Sequence, residues 1–358
     1  MNQALDMKVN RLPSRTWNWL HMNEAVIDQV MVENENKVTI TLPENISQGN
    51  ITEIDFGKIA TGMGEDMDKL ASEAHISSLT FETEKDTKIQ QPLRLAFHYK
   101  DRDRQMNTVD LHIQNGSEAT VIMDYSSEKE AEGLAVIRTK IMAEKDSRLN
   151  LVQVQRLERN FECMNDVGIQ CEENASVQVF HLILGGRNIW QGCRADLIGR
   201  ESRFQGEIGY LAGGSMHLDM NYVIRHFGRD TICDISSSGV LKDHASKLFR
   251  GTIDFVKGCA GSKGNEKEEV LLLDDDVKNQ TIPVILCAEE DVEGNHGATI
   301  GQLDEELLFY LRSRGLSEEY IYEMLAKARI DAVCRKIPDM QIREEISHYL
   351  EGGETDEQ

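Results

Sequence analysis

The 358-residue sequence lacks the features that mark membrane-spanning and secreted proteins. No apolar run approaches the roughly 18 residues that a transmembrane helix needs, so we expect no transmembrane helix. The opening residues, MNQALDMKVNRLPSRTWNWL, contain no continuous apolar core and no small-residue cleavage site. We therefore expect no secretory signal and a cytoplasmic protein.

Signatures of common enzyme classes are also missing. The glycine-rich stretch GCAGSKG resembles a phosphate-binding loop, but Lys263 is followed by Gly264 where that motif requires Ser or Thr. No G-x-S-x-G nucleophile turn is present. With 62 acidic residues, adjacent carboxylates are expected by chance and specify no acid–base site. These stretches therefore support neither a phosphate-loop enzyme nor a serine hydrolase of the nucleophile-turn type.

The seven cysteines follow no disulfide or zinc-binding pattern. Their number is odd, C-x-x-C is absent, and the closest two are eight residues apart. We expect most of them, Cys287 included, to be small buried hydrophobic residues in a reducing compartment. Cys193, Cys233 and Cys259 could line an interior and carry sulfur, although their spacing does not require it.

Positive charge is scarce. The chain has 39 Lys and Arg against 62 Asp and Glu, a formal net charge of −23. Such a field repels phosphate backbones and anionic lipid, so we expect neither a nucleic-acid nor a membrane partner. The acidity favours solubility and could also steer the chain towards a basic patch on a protein partner.

What is present is a series of short strand-like runs from about residue 90 to 290, such as ATVIMDY and SVQVFHLIL. Turn-like clusters separate them at spacings near 14 residues or twice 14. This pitch is typical of an antiparallel sandwich or of a solenoid. Asn-Gly and Asp-Gly hairpin turns are nearly absent, which favours the solenoid.

The ends of the chain differ from this centre. Residues 1–85 mix helical and strand signals, with a short helix predicted within residues 57–75 around three apolar positions, Met67, Leu70 and Ala71. Residues 301–350 predict three helices, with Asp304 and Ser317 as N-caps. Residues 351–358 predict a disordered acidic tail. The helical apolar faces are expected to comprise Leu307, Leu308 and Leu311, then Ile321, Met324, Leu325, Ala328 and Val333, then Ile342, Ile346 and Leu350.

The stretch DVEGNHGATIGQLDEELLFYLRSRG (residues 291–315), together with the sequence that precedes it, resembles the SufB/SufD family of iron–sulfur cluster assembly scaffolds. The resemblance covers about residues 180–340. It implies a mainly β protein with a right-handed parallel β-helix at residues 86–300. This core would lie between an N-terminal α/β region and a C-terminal three-helix domain, which decides against the sandwich.

The same resemblance implies a function without catalysis by this chain. Members pair through their β-helices, and their helical tails bind a SufC-like ABC ATPase, here through residues 304–350. SufB-type chains carry a cysteine in a Q-C-D-S-L-L-like strand. Here the strand reads EKEEVLLLDDD, with Glu268 about where that cysteine falls, so the chain is most similar to SufD.

His296 is the ligand candidate that the resemblance supplies. It is expected to face a SufB-like partner and to hold a transient iron–sulfur cluster at the subunit interface, with no tightly bound cofactor. Neutral imidazole is an acceptable iron ligand and retains a cluster less firmly than thiolate. Glu293 is a weaker oxygen-donor candidate. Without the resemblance, the favoured interpretation of His296 is a turn histidine packed under the first tail helix.

Two alternatives stay open. The chain could pair with a second copy of itself as a homodimeric SufB/SufD-like scaffold. A β-helix enzyme acting on polysaccharide is a second, less favoured reading, because it requires a surface groove rich in aromatic residues and only 6% of the chain is aromatic.

Overall fold

The computed structural model describes residues 4–16, 18–33, 38–49, 51 and 54–351. Two nine-stranded sheets face each other, and from the fifth strand onward the chain alternates between them, so that each pair of strands makes one coil of a β-solenoid. Neighbouring coils pair in parallel. The predicted parallel β-helix is therefore confirmed and the antiparallel sandwich is excluded.

We name the two sheets after the numbers of their strands from β5 onward. The odd sheet contains β4 (Ile46–Gln48), β5 (Ser78–Thr83), β7 (Arg104–Ile113), β9 (Glu132–Ala143), β11 (Asn160–Cys171), β13 (Asn188–Leu197), β15 (His217–His226), β17 (Ser246–Phe255) and β19 (Lys278–Cys287). The even sheet contains β3 (Val38–Thr41), β6 (Leu93–Tyr99), β8 (Glu118–Ser127), β10 (Arg148–Arg156), β12 (Ser176–Ile183), β14 (Arg203–Ala212), β16 (Ile232–Leu241), β18 (Ser262–Leu272) and β20 (Val292–Gln302). The short β3 and β4 pair antiparallel with β6 and β5 and close the N-terminal end of the solenoid.

One full coil takes two strands and two corners, which explains the spacing read from the sequence. At one corner, a residue with positive φ recurs in successive coils: Asp146, Asn174, Glu201, Asp230 and Gly261. The backbone amide of each donates to a carbonyl of the following coil. Asp, Asn and Gly adopt this left-handed conformation more readily than other residues, so polar and small residues mark the corners.

The interior is a column of apolar side chains. Val121, Leu151 and Val179 occupy equivalent positions on β8, β10 and β12, and all three are buried. Full burial of such a side chain contributes roughly 1.5–3 kcal/mol. Since every coil repeats this stacking, the stability of each coil depends on its neighbours above and below.

The N-terminal region covers the outer face of the odd sheet. A small antiparallel pair, β1 (Leu5–Val9) and β2 (Ala25–Val30), is followed by α1 (Glu65–Glu73). Met67, Leu70 and Ala71 of α1 are buried, as predicted. The solenoid sheets already include β3 to β5, which precede residue 86. The domain boundaries at residues 85, 300 and 350 stay predictions.

Three helices form the C-terminal region, as expected: α2 (Glu305–Ser313), α3 (Glu318–Cys334) and α4 (Met340–Leu350). The side chains of Asp304 and Ser317 cap α2 and α3, and Gly315, at φ +90°, ends the turn after α2. The predicted acidic tail lies outside the described residues apart from Glu351.

The tail folds back along the outer face of the even sheet. Ile330 and Val333 of α3 and Ile342 and Ile346 of α4 pack against β8, β10 and β12. Arg329 also reaches Glu269 of β18 at 2.8 Å. No helix in the described part of the chain is long and apolar enough to cross a membrane.

The predicted apolar faces of the tail are only partly correct. Met324 and Ala328 of α3 are exposed, because the helix turns another stripe, with Ala326 and Ile330, towards the sheet. In α2 no residue is buried: of the predicted face, Leu307 is exposed, and Leu308 and Leu311 are half-buried. Helical periodicity shows that a face is apolar, whereas the sheet decides which face it contacts.

Candidate functional site: the open end of the solenoid

The last coil, β19 and β20, is the open end of the solenoid. These strands are the outermost members of their sheets, and within the described chain no strand pairs with their free edges. Nearly all of β20 is exposed, whereas β17 below β19 is almost wholly buried. Ile285 and Ile300 retain 38% and 46% of their exposure. Unpaired strand edges with exposed apolar side chains are typical of surfaces that bind another chain.

His296 lies on this open end and points towards the inside of the solenoid. Its register partner is Glu266 on β18, a buried residue of the inner face. Side chains at paired positions of a parallel sheet share a face, so His296 continues the inner column of side chains. Because no further coil covers it, the imidazole is exposed. The alternative that it packs under the first tail helix is not what the structure shows.

A buried polar cluster lies in the end coils, near Glu266 and His296. The Lys247 ammonium contacts the Glu268 carboxylate and donates to the Thr281 hydroxyl at 3.1 Å; Thr281 in turn donates to Glu268 at 2.7 Å. Both charged side chains are almost fully buried. A buried charge is tolerated only with such partners, so the cluster is an integral part of the end coils.

Burial changes the pKa values of Glu266 and Lys247 in this part of the open end. It raises the pKa of Glu266 to about 7, with a further increase from Glu268 and a smaller opposing effect of Lys247. Desolvation also lowers the pKa of Lys247, against the attraction of Glu268 and Glu266. The side of the open end that faces His296 therefore contains a carboxyl group that titrates near neutral pH.

The sequence reasoning missed Glu266 and Lys247. The signal was available in the alternation of β18, where Gly264, Glu266, Glu268 and Val270 all share the buried face. Charged residues on a solvent face are the ordinary reading of such a strand. Only the parallel pairing with β16 and β20 shows that these two glutamates point inward.

Glu293 is not brought together with His296. Three residues apart on one strand, the two side chains point to opposite faces. Glu293 lies on the outer surface and pairs with Lys263 of β18 at 3.0 Å. Its role as an oxygen donor stays a prediction, and the geometry favours His296 over it.

The prediction that Cys287 lies in the core is wrong. Cys287 is in register with buried Phe255 and shares its inner face, but it is exposed because no coil follows. Its thiol donates to the Glu289 carbonyl at 3.0 Å. Burial depends here on a covering coil, and the described part of the chain has none beyond β19 and β20.

The interior cysteines lie where the sequence placed them. Cys193, Cys233 and Cys259 are buried within the solenoid. Burial raises the pKa of each thiol, so the neutral form is favoured. A buried neutral thiol packs as a small apolar side chain, and the idea that these residues carry sulfur stays a prediction.

His296 is an isolated ligand candidate. The described residues contain no group of three or more His, Cys, Asp or Glu side chains that could hold a metal ion. A mononuclear or cluster site usually needs three or four donors. The described residues therefore supply no complete metal site around His296.

Comparison with known proteins adds the family. A sequence model of a protein family, described as "SUF system FeS cluster assembly, SufBD core domain", matches residues 97–329, more than half of the chain. The chain belongs to the SufB/SufD family. This family match includes every strand from β7 to β20 and the first part of the helical tail.

Individual relatives match over shorter segments. An iron–sulfur cluster assembly SufBD family protein of Mycobacterium leprae is 30% identical over 141 residues, which is 39% of this chain and 16% of that protein. SufB of Bacillus subtilis is 28% identical over 47% of this chain and 36% of its own length. SufD of the same organism is 28% identical over 36% and 29%. The chain therefore aligns with less than half of each relative, and SufB and SufD match it with equal identity.

Proposed function

We propose that this chain is a SufD-like, non-catalytic scaffold subunit for iron–sulfur cluster assembly. The proposal goes beyond membership of the SufB/SufD family, which does not separate the two subunit types. It is supported by Glu268, which lies about where SufB-type chains are expected to carry a cysteine. Its carboxylate is committed to Lys247 and Thr281, an arrangement that leaves no thiol at this position.

The open end is the observation that carries the proposal. Both sheets end there with unpaired edges in the described chain, and His296 faces inward at the rim. A SufB-like chain that places its own last coil against this rim would cover His296 and supply the missing cluster ligands. The assembled cluster is cargo, so a site divided between two subunits favours its release.

The tail supports docking of a SufC-like ATPase. The exposure of its helices narrows the docking surface to one part of residues 304–350. Helices α3 and α4 are held on the solenoid by buried side chains. Helix α2 has none, and Leu307, Phe309 and Tyr310 are 43%, 76% and 52% exposed. We place the ATPase contact on α2, because an exposed amphipathic helix is a common protein-binding element.

Co-expression with a SufB-like chain and a SufC-like ATPase tests the proposal. We expect a stable complex under anaerobic purification, with visible absorption that is absent from this chain alone. A chain that forms no complex with either protein would overturn the assignment as a scaffold subunit.

Self-pairing is the second candidate, since a second copy presents an open end of the same architecture. Sedimentation of the chain alone and with a SufB-like chain separates the two. A self-pair that ignores the other chain would favour the homodimeric scaffold.

A further inference from the structure

The corners of the open coil carry charge of one sign. Residues 273–306 contain ten Asp and Glu and a single basic residue, Lys278. The corner loops of this coil read LDDDV at residues 273–277 and AEED at residues 288–291. In the preceding coil the corresponding loops, KDHA and VKGCAG, each contain a lysine. The acidic character is therefore concentrated at the end of the solenoid.

These acidic loops lie at both ends of β19, and a third acidic segment follows β20 at Asp304. Asp275, Asp276, Glu290 and Asp291 are exposed. The carboxylates therefore surround an end whose centre is apolar and hydrogen-bonding, with acidic residues at each corner of the coil.

Two ways of pairing this end with a second copy both bring acidic loops together. If β20 pairs antiparallel with its copy, the loop at 288–291 meets the segment that follows β20. If β20 pairs antiparallel with β19 of the copy, the loop at 288–291 meets the same loop of the copy, and the segment after β20 meets the loop at 273–277. Like charges in direct apposition cost several kcal/mol across an interface, and the cost increases as salt is removed.

We propose that the open end selects a different chain whose corners at its own open end are basic, and that it rejects a second copy of itself. This inference rests on the proposed function, because it assumes that the end pairs with another solenoid. The unpaired edges of β19 and β20 and the exposed Ile285 and Ile300 supply the attraction. The acidic corners then decide between partners, which is how charge usually provides specificity at interfaces.

A charge-reversed form of the chain provides a partner of known chemistry. The variant Asp275→Lys/Asp276→Lys/Glu290→Lys/Asp291→Lys changes only exposed residues of the rim. A matched control, Asp28→Lys/Glu44→Lys/Glu84→Lys/Glu130→Lys, makes the same charge change at exposed residues outside the last coil. Circular dichroism establishes that both variants fold.

Sedimentation velocity at ~50 mM and ~500 mM salt then measures pairing, because the Debye length shortens several-fold across this range. We expect the unmodified chain to be monomeric at low salt. It should bind the rim variant at least ~10-fold more tightly than itself, and this preference should shrink at high salt. The control variant should not pair with the unmodified chain.

A stable homodimer of the unmodified chain at low salt would overturn the selection rule, as would equal binding of the rim and control variants. A SufB-like chain separates this failure from failure of the proposed function. If the rim variant and the unmodified chain bind it equally well, pairing stands and charge selection is wrong. If neither binds it, the proposed pairing itself is wrong.

Discussion

At the scale of single residues, the open end depends on charges that the sequence shows but does not place. Glu266 and Glu268 lie on β18 with the alternation of an ordinary half-exposed strand. In the folded chain both face inward: Glu268 lies beside Lys247, and Glu266 lies below His296. The reason is the parallel pairing of the coils, which assigns a whole set of alternate residues to one face.

Glu266 predicts how stability depends on pH. Its folded pKa of about 7 lies above its ordinary value of 4.5, so the folded state retains a proton that the unfolded state has lost. Stability should therefore fall as the pH rises from about 4.5 to 7, by up to about 3 kcal/mol. Glu266→Gln removes this loss, and urea unfolding at pH 5 and pH 8 measures it.

Glu293→Gln is the matched control, because Glu293 is exposed and pairs with Lys263 at the surface. It should leave the pH dependence nearly unchanged, since exposed ion pairs contribute roughly 0–1 kcal/mol. An unfolding profile of Glu266→Gln that parallels the unmodified chain would show that Glu266 is ionised in the folded state at neutral pH.

His296→Ala tests the ligand role at the rim. The imidazole is exposed and makes no packing contribution to the interior, so folding should be retained within about 0.5 kcal/mol. Iron and sulfide bound to the complex with a SufB-like chain should fall several-fold. Asn295→Ala, on the neighbouring outward position, serves as the control. Unchanged loading in His296→Ala would remove this residue from the proposed site.

At the scale of elements, α2 differs from every other helix of the tail. Local signals specified its start and end well: Asp304 caps it and Gly315 follows its last turn. Its burial was not specified, because an apolar face can be turned towards the body or towards a partner. Helices α3 and α4 pack on the even sheet, whereas no residue of α2 belongs to either of these buried clusters.

Phe309→Asp should weaken binding of a SufC-like ATPase at least ~10-fold, since central aromatic residues often contribute 2 kcal/mol or more to an interface. Met340→Asp, at an exposed apolar residue that begins α4, is the control and should bind normally. Calorimetric titration with the ATPase measures both. Equal affinity of the two variants would move the docking surface away from α2.

At the scale of the whole molecule, stability should decrease towards the open end. Each coil contacts only the coils on either side, and the last coil has a neighbour on one side alone. Amide hydrogens of β20 should therefore exchange faster than those of β12 in the isolated chain. Addition of a SufB-like chain should slow exchange in β20 and leave β12 unchanged. Protection of β20 equal to that of β12 in the isolated chain would contradict an open end.

The sequence by itself determined the repeat, several of the strands, the three tail helices and the caps of α2 and α3, because these depend on interactions between residues close in the chain. It also singled out His296 through a long motif at the junction of strand and helix. Its statements about burial failed at Cys287 and at Met324 and Ala328 of α3, which the folded chain leaves exposed.

Only the tertiary structure decided which residues meet. Register between coils is set by contacts about 26 residues apart, as between Cys163 and Ile189, up to 32, as between Ser246 and Lys278. Those contacts place Lys247 against Glu268, set Glu266 below His296 and leave the outer edge of β20 unpaired in the described chain. Local patterns cannot encode this, because a shift of one residue along a strand reverses every side chain between the interior and the surface.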